Sequence, residues 1–255
     1  MSDQKNKAER FRALHVPGHP VVLFNVWGAG GAKAVTAAGA QAIATGSWSV
    51  AAAHGYEDGE KVPLDFAADN WARIVQATEL PVTVDIEAGY GAAAEAVART
   101  VARTVEAGAI GCNLEDSYVE TGKLRPAADQ AQRLRAARQA AGGDYFINAR
   151  TDVFFQKPAA DHDSAMVEEA LERARAYAGA GADGLFAPGL TDPALIARLT
   201  GASPLPVNIM VGGGSPTLKI LAEAGAARLS FGPGPYLSMM KALEQGAREA
   251  FASVG

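Results

Sequence analysis

A tripeptide, Ala-Gly-Ala, recurs at four helix-to-strand junctions of this chain and constrains its fold more than any other feature. The copies lie at 38–40, 107–109, 180–182 and 224–226, and each follows a helical stretch and precedes a short apolar run. A glycine at this point suits the left-handed residue that ends a helix, and the chain then enters a strand. The spacing between copies corresponds to whole strand–helix units, which indicates an internally repeated α/β chain.

Short apolar runs alternate with helical patterns along the chain. The eight runs are 21–26, 41–45, 82–86, 110–115, 145–149, 183–187, 206–210 and 227–231. Runs that are apolar on both faces are typical of parallel strands covered by helices. An open doubly wound sheet is the alternative, but eight regular units favour closure into a barrel. We therefore expect an α/β protein with a single (β/α)8 TIM-barrel domain over 1–255, an N-terminal capping helix near 5–15 and a final helix after Pro235.

Composition excludes several classes of function. The formal net charge is −5 and the pI about 5.4, so no basic surface for a nucleic acid is expected. A single cysteine, Cys112, excludes a disulfide within the chain and a cysteine-based zinc site. The first ten residues lack the apolar core of a signal peptide, and no apolar run is long enough to span a membrane. A cytoplasmic protein without a nucleic-acid or membrane partner is the expectation.

Polar side chains cluster where the predicted strands end. The motifs on strands three, four, five and seven are Asp85-x-Glu87, Asn113-x-Glu115, Asn148-x-Arg150 and Asn208. Alternate residues of a strand share a side, and the carboxyl ends of barrel strands line the active site. Three carboxylates at one rim repel unless a cation lies among them, and oxygen donors favour Mg²⁺ or Mn²⁺. One acidic residue alone could equally be a helix N-cap, so the hypothesis depends on the coincidence of neighbouring strands.

Three longer segments resemble a known superfamily. Asp85-Ile-Glu-Ala-Gly-Tyr-Gly91, Asn113-Leu-Glu-Asp116 and Asn148-Ala-Arg-Thr-Asp152 are similar to motifs of the isocitrate lyase/phosphoenolpyruvate mutase superfamily. The resemblance extends from Phe24-Asn-Val-Trp27 to Phe231-Gly-Pro233, nearly the whole chain. It implies a (β/α)8 barrel whose last helix is often swapped between the subunits of a homodimer or homotetramer. It also implies Mg²⁺ bound together with a small oxo or hydroxy acid.

The resemblance implies a role for each matched position. The implied metal-binding residues are Asp85, Glu87, Glu115 and Asp58. The implied substrate-binding residues are Gly46, Ser47, Trp48 and Arg150, to which the polar strand ends add Asn113 and Asn208. Backbone amides of the first three would hold a substrate carboxylate. Arg150 would bind oxygen atoms of the substrate, because the planar fork of an arginine meets a carboxylate with two hydrogen bonds.

Departures from the family pattern narrow the expected chemistry. Glu87 occupies a position where family members commonly have Asp. The loop 117–125 lacks both the Cys and the His of the gating segment of isocitrate-type lyases, and Pro188 replaces a histidine of the mutase. Isocitrate-type or methylisocitrate-type cleavage is therefore not expected.

The chemistry implied by the resemblance proceeds through an enolate that a metal stabilises as a Lewis acid. We expect a Mg²⁺-dependent carbon–carbon lyase or hydrolase for a small 2-oxo or 2-hydroxy (di)carboxylic acid. The candidate catalytic residues are Arg150, Tyr90 and Lys123. A Schiff-base aldolase is disfavoured, because no lysine lies on a predicted strand. A phosphonomutase-type carbon–phosphorus enzyme and a non-catalytic relative that binds an oxo acid remain as alternatives.

Overall fold

The computed structural model describes residues 3–254, in which eight parallel strands form one sheet. The strands are β1 Val21–Leu23, β2 Ile43–Ala44, β3 Val82–Asp85, β4 Gly111–Glu115, β5 Phe146–Arg150, β6 Gly184–Phe186, β7 Val207–Met210 and β8 Arg228–Ser230. Their order, β1-β8-β7-β6-β5-β4-β3-β2, makes sequence neighbours spatial neighbours. A parallel bridge between Val26 and Thr45 brings the two remaining edges together. The predicted (β/α)8 barrel is confirmed.

Helices cover the outside of the barrel and one of its ends. They are α1 Asp3–Ala13, α2 Ala29–Ala37, α3 Ser47–Ala53, α4 Leu64–Gln76, α5 Ala94–Glu106, α6 Ala127–Ala141, α7 Ser164–Gly179, α8 Pro193–Ala202, α9 Leu218–Glu223 and α10 Gly234–Ala252. The predicted capping helix corresponds to α1 and the predicted final helix to α10. No helix in the described range 3–254 is long and apolar enough to cross a membrane.

Most of the strands are shorter than the predicted apolar runs, and Asn25 shows the reason at the end of β1. Its amide nitrogen donates to the carbonyl of Thr45 at 2.8 Å, and its amide oxygen accepts from the backbone N–H groups of Phe231 and Gly232 at 2.8 and 3.0 Å. A side chain therefore replaces backbone pairing at the rim and joins the ends of three neighbouring chain segments. The strands stop there, and the following residues are free to form the loops of the site.

Helix α1 closes the amino-terminal end of the barrel. Phe11 is fully buried and packs edge-on against Phe146, with ring centroids 5.3 Å apart. Phe146 fits inside the barrel because its neighbour on β4 is Gly111, where a Cβ would lie 2.6 Å from the Phe146 carbonyl oxygen. This apolar plug leaves the carboxyl-terminal rim as the open end.

His15, just after α1, is held neutral in this plug. Its ring stacks on Phe146 with centroids 4.2 Å apart, and its Nδ1 lies 2.8 Å from the Phe11 carbonyl oxygen. The Nε2 atom is buried without a partner. Burial, and then the positive charge of Arg228, lowers the pKa of His15 from 6.5 to about 3.

Acid is therefore expected to destabilise the protein through His15. The unfolded chain takes up the proton near pH 6.5, and the folded chain takes it up only near pH 3. The stability that depends on a neutral His15 is therefore fully present above pH 6.5 and is lost as the pH falls towards 3. The loss approaches about 1.4 kcal/mol per pH unit. Urea unfolding between about pH 7 and pH 5 should show a smaller loss of stability for His15→Phe than for the wild type. Equal losses would contradict this origin.

Candidate functional site

Two adjoining cavities lie at the carboxyl ends of the strands. The first, the rim cavity, has a volume of about 230 Å³, and the predicted residues in its lining are Gly46, Ser47, Trp48, Asp58, Asp85, Asn113 and Arg150. The second, the loop cavity, has a volume of about 350 Å³ and lies under the loop 117–125; its lining includes Asp58, Glu87, Glu115, Arg150 and Asp152. Asp58 and Arg150 border both cavities. The structure thus brings most of the predicted residues to one rim.

Asp85, at the end of β3, is held by backbone and side-chain contacts on the barrel rim. Its Oδ2 accepts from the backbone N–H of Ser47 at 3.1 Å, and its Oδ1 accepts from that of Glu87 at 3.2 Å. Its own N–H donates to Thr45 Oγ1 at 2.9 Å. Each carboxylate oxygen keeps an unused lone pair, so Asp85 presents an oriented negative charge to the rim cavity.

Residues 46–48 begin helix α3 at the edge of the rim cavity. The amide of Ser47 donates to Asp85, so it orients this carboxylate instead of remaining free for a substrate. Trp48 is 39% exposed and makes an edge contact with Tyr236, with ring centroids 6.0 Å apart. The indole therefore forms part of the cavity mouth, together with Gly46.

Glu115 and Arg150 form an ion pair on neighbouring strands. Glu115 Oε2 lies 2.7 Å from Arg150 Nη1, and Asp152 accepts from Arg150 Nε at 2.6 Å and from Nη2 at 3.2 Å. Burial raises the pKa of Glu115, and the charge of Arg150 opposes that rise. Burial alone would lower the pKa of Arg150, but Glu115 and Asp152 raise it by more. Arg150 is therefore a cation clamped in a fixed orientation by two carboxylates.

Asn113 forms the floor of the rim cavity in a fixed orientation. Its amide oxygen accepts from Asn148 Nδ2 at 2.9 Å and from Nη2 of Arg228, a fully buried side chain on β8, at 3.1 Å. A guanidinium has only donors, so the atom that faces it must be the oxygen. The amide nitrogen of Asn113 is consequently left for the rim cavity, where it can donate to an oxygen of a ligand.

The carboxylates Asp58, Glu87 and Glu115 surround Asp85 without forming a complete cage. Within residues 3–254, no three His, Cys, Asp or Glu side chains are arranged to hold a metal ion directly. Partial desolvation and then the charge of Asp85 raise the pKa of Asp58, which stays exposed. Burial, and then Asp85, raises the pKa of Glu87 to about 7. Hard oxygen donors with few direct contacts suit an ion that keeps several of its waters, as Mg²⁺ does.

Comparison with known proteins assigns the chain to a family. The model of the phosphoenolpyruvate phosphomutase family matches residues 11–251. The chain belongs to this family. A protein of Burkholderia cenocepacia J2315, provisionally named a phosphonomutase, has a crystal structure that superimposes with a TM-score of 0.94 at 56% identity, over 97% of this chain and 99% of that one.

Two curated sequences extend the family relationship. An uncharacterised protein of Mycobacterium tuberculosis (strain H37Rv) is 37% identical over 93% of this chain and 87% of its own length. The 2-methylisocitrate lyase of Escherichia coli (strain K12) is 30% identical over 92% of this chain and 81% of its own length. The relationship therefore covers the whole barrel.

Three other predicted residues of this phosphomutase-family chain lie away from the rim cavity. Tyr90 borders a small gap beside Asp85, and burial and then the charge of Glu87 raise its pKa, which keeps its hydroxyl protonated. Asn208 is buried below the cavity, where its amide oxygen accepts from Ser230 Oγ at 3.2 Å. Lys123 is exposed on the loop 117–125 and lines neither of the two cavities.

Several residues that complete the site were not assigned a role from the sequence. Asp152 clamps Arg150 from just beyond the end of β5, and its acidic side chain two residues after this arginine was the available signal. Arg228 orients Asn113 but stands alone in an apolar run, so no pattern marks it. Glu60 contacts the loop after β3 from a distant loop, and no sequence signal links the two.

Asn113→Asp tests the orientation of the cavity floor. One oxygen of the new carboxylate should pair with Arg228, while the other faces the cavity and repels an anionic ligand. We expect the affinity for oxalate in the presence of Mg²⁺ to fall by at least about tenfold in calorimetric titration, with little change in thermal stability. Gln245→Glu, which adds the same charge on exposed α10, is the control. Unchanged oxalate binding by Asn113→Asp would show that the floor does not contact the ligand.

Proposed function

We propose that this chain is a Mg²⁺-dependent carbon–carbon lyase or hydrolase that acts on a small 2-oxo or 2-hydroxy acid. The observation that carries the proposal is the convergence of Asp85, Asn113 and Arg150 on one cavity of about 230 Å³. A carboxylate for a cation, an amide donor and a clamped guanidinium suit a small acid with several oxygens. The relatives named as 2-methylisocitrate lyase and oxaloacetate decarboxylase support carbon–carbon cleavage.

The donor set of the rim supports Mg²⁺, with Mn²⁺ as a substitute. Asp85 would bind the ion directly, and Asp58 and Glu115 would hold its waters from the two sides of the loop cavity. Glu87 adds negative charge behind Asp85. When bound, the ion would act as a Lewis acid that stabilises an enolate. A fold neighbour, phosphonopyruvate hydrolase, was solved with oxalate and Mg²⁺, which agrees with this choice of ion.

The chain's own residues would orient the substrate and supply a proton. Arg150 keeps N–H groups that Glu115 and Asp152 do not use, and these would bind carboxylate oxygens of the acid. The Asn113 amide would donate to another oxygen from below. Tyr90 holds a proton on its hydroxyl close to Asp85 and is the proposed acid, but it lines neither of the two cavities and would need to move to reach the substrate. Asn208 lies below the rim cavity and would not contact the substrate directly. Lys123 would reach the substrate only after a movement of the loop 117–125.

Two other functions have specific support. A carbon–phosphorus enzyme is favoured by the provisional name of the Burkholderia relative at 56% identity. A non-catalytic binder of oxo acids is favoured by the loop 117–125, because its one lysine is exposed and lies outside both cavities. Both alternatives use the same rim: the first would break a carbon–phosphorus bond, and the second would break no bond.

A substrate panel distinguishes these functions. The purified protein is incubated with Mg²⁺ and a set of 2-oxo and 2-hydroxy diacids that includes oxaloacetate and phosphonopyruvate. Release of pyruvate or glyoxylate, or of oxalate with acetate, that exceeds a protein-free control with Mg²⁺ and disappears with a chelator supports the proposed lyase or hydrolase. Conversion of phosphonopyruvate alone favours the carbon–phosphorus enzyme. Absence of turnover across the panel together with tight oxalate binding favours the binder and overturns the proposal.

Asp85→Ala is expected to abolish Mg²⁺-dependent binding of oxalate while the barrel stays folded. A polar side chain at a cavity rim contributes little packing, so its removal should change stability only slightly. Calorimetric titration measures the binding, and circular dichroism measures the fold. Asp69→Ala, an exposed carboxylate on α4, is the matched control. Wild-type binding by Asp85→Ala would remove this residue from the metal site.

The single domain, the location and the oligomer remain proposals. One closed sheet supports a single domain over residues 1–255. A cytoplasmic location stays a prediction. A homodimer or homotetramer, with α10 docked on or swapped into a second copy, is supported by the apolar side chains that α10 exposes, namely Leu237, Met239, Met240, Leu243 and Phe251. Exposed apolar patches of this kind mark interfaces between chains.

Charged substitutions on α10 test the oligomer. The double variant Leu237→Glu/Leu243→Glu should reduce the mass measured by light scattering to that of one chain, 26.3 kDa. The reason is that each new carboxylate would have to lose water in an apolar interface. Gln245→Glu adds the same kind of charge to this helix and serves as the control. A wild-type mass of one chain, or an unchanged mass of the double variant, would contradict an interface on α10.

A further inference from the structure

Three strained residues meet beside the site. Glu60, Glu87 and Tyr90, with φ values of 60°, 52° and 57°, are the non-glycine residues of positive φ in the described chain. Such a backbone conformation is unfavourable for a residue with a Cβ. Strain of this kind persists only where surrounding contacts impose it. The contacts of these three residues should therefore account for their positive φ values.

The contacts are reciprocal and link two loops. Glu87 Oε2 accepts from the backbone N–H of Gly59 at 2.8 Å and from that of Glu60 at 2.6 Å. Glu60 Oε1 in turn accepts from the backbone N–H of Tyr90 at 2.6 Å. The first loop connects α3 to α4, and the second follows β3. We call these three hydrogen bonds the Glu87–Glu60 clamp.

The clamp occupies the Glu87 oxygen that points at the loop. Glu87 is only 5% exposed, and its Oε2 already has two charge-assisted donors, which fill its two lone pairs. That oxygen has no lone pair left for a cation or for a water of its hydration shell. An aspartate here would be shorter by one methylene, about 1.5 Å, and would not reach both amides.

We propose that Glu87 is a positioning residue, whose Oε2 fixes the loop that carries Asp58 against the rim. Asp58 directly precedes Gly59, one of the two clamped amides, so the clamp sets the position of Asp58 at the edge of both cavities. The negative charge of Asp85 opposes this approach. The clamp supplies the restraint that keeps the loop in place. The inference rests on the proposed function only in taking Asp58 as part of the site.

Hydrogen exchange of the metal-free protein tests the clamp directly. Glu87→Gln keeps a side-chain oxygen at the same distance, so the amides of Gly59 and Glu60 should stay protected. Glu87→Asp and Glu87→Ala lose the contact, and both amides should exchange at least about tenfold faster. Glu57→Gln, an exposed change in the same loop, is the control. Protection that survives in Glu87→Asp would overturn the clamp. This readout needs neither metal nor activity, so it does not depend on the proposed function.

Metal affinity of the same variants distinguishes a positioning residue from a ligand. Titration with Mn²⁺ in the presence of oxalate should show a loss of less than about tenfold for Glu87→Gln and a larger loss for Glu87→Asp. A metal ligand predicts the reverse order, because Asp keeps the charged oxygen that Gln lacks. The reverse order would overturn the proposal. If the wild type binds no metal, the proposed function fails, and hydrogen exchange alone decides the clamp.

Discussion

Repulsion among carboxylates at one end of the barrel is the constraint on which the rest of the site depends. Each acidic residue is restrained by a particular partner: Asp85 by the amide of Ser47, Glu87 by the amides of a neighbouring loop, and Glu115 by Arg150. These donors orient the negative groups without neutralising all of them. Burial makes the remaining charge costly, and a hard divalent cation is the simplest group that relieves it.

Much of the fold could be predicted because it follows from a regular pattern of apolar residues along the sequence. Runs that are apolar on both faces require helices on one side and a filled barrel on the other. The ends of the strands could not be predicted in this way. Asn25 substitutes a side-chain amide for backbone pairing, and nothing in a hydrophobic pattern distinguishes that arrangement from one more residue of strand.

Strand alternation predicted part of the site, whereas the contacts between loops could not be predicted from the sequence. Alternation along β4 and β5 places Asn113 and Arg150 at the same rim, and the structure agrees. The contact between Glu60 and Tyr90 joins two loops distant in sequence, and loop geometry follows from backbone strain that no residue pattern records. Lys123 illustrates the converse, since a chemically suitable residue on the loop 117–125 is exposed to solvent.

Arg228 gives the barrel an electrical polarity. It is fully buried beneath Asn113, and its Nε and Nη1 atoms have no hydrogen-bond partner among residues 3–254. A fixed cation thus underlies the floor, while carboxylates surround the mouth. The field between them runs along the barrel axis and strengthens in the water-poor interior. The proposed metal and acid, entering together, would turn in such a field so that the anionic end leads, which would select one direction of approach.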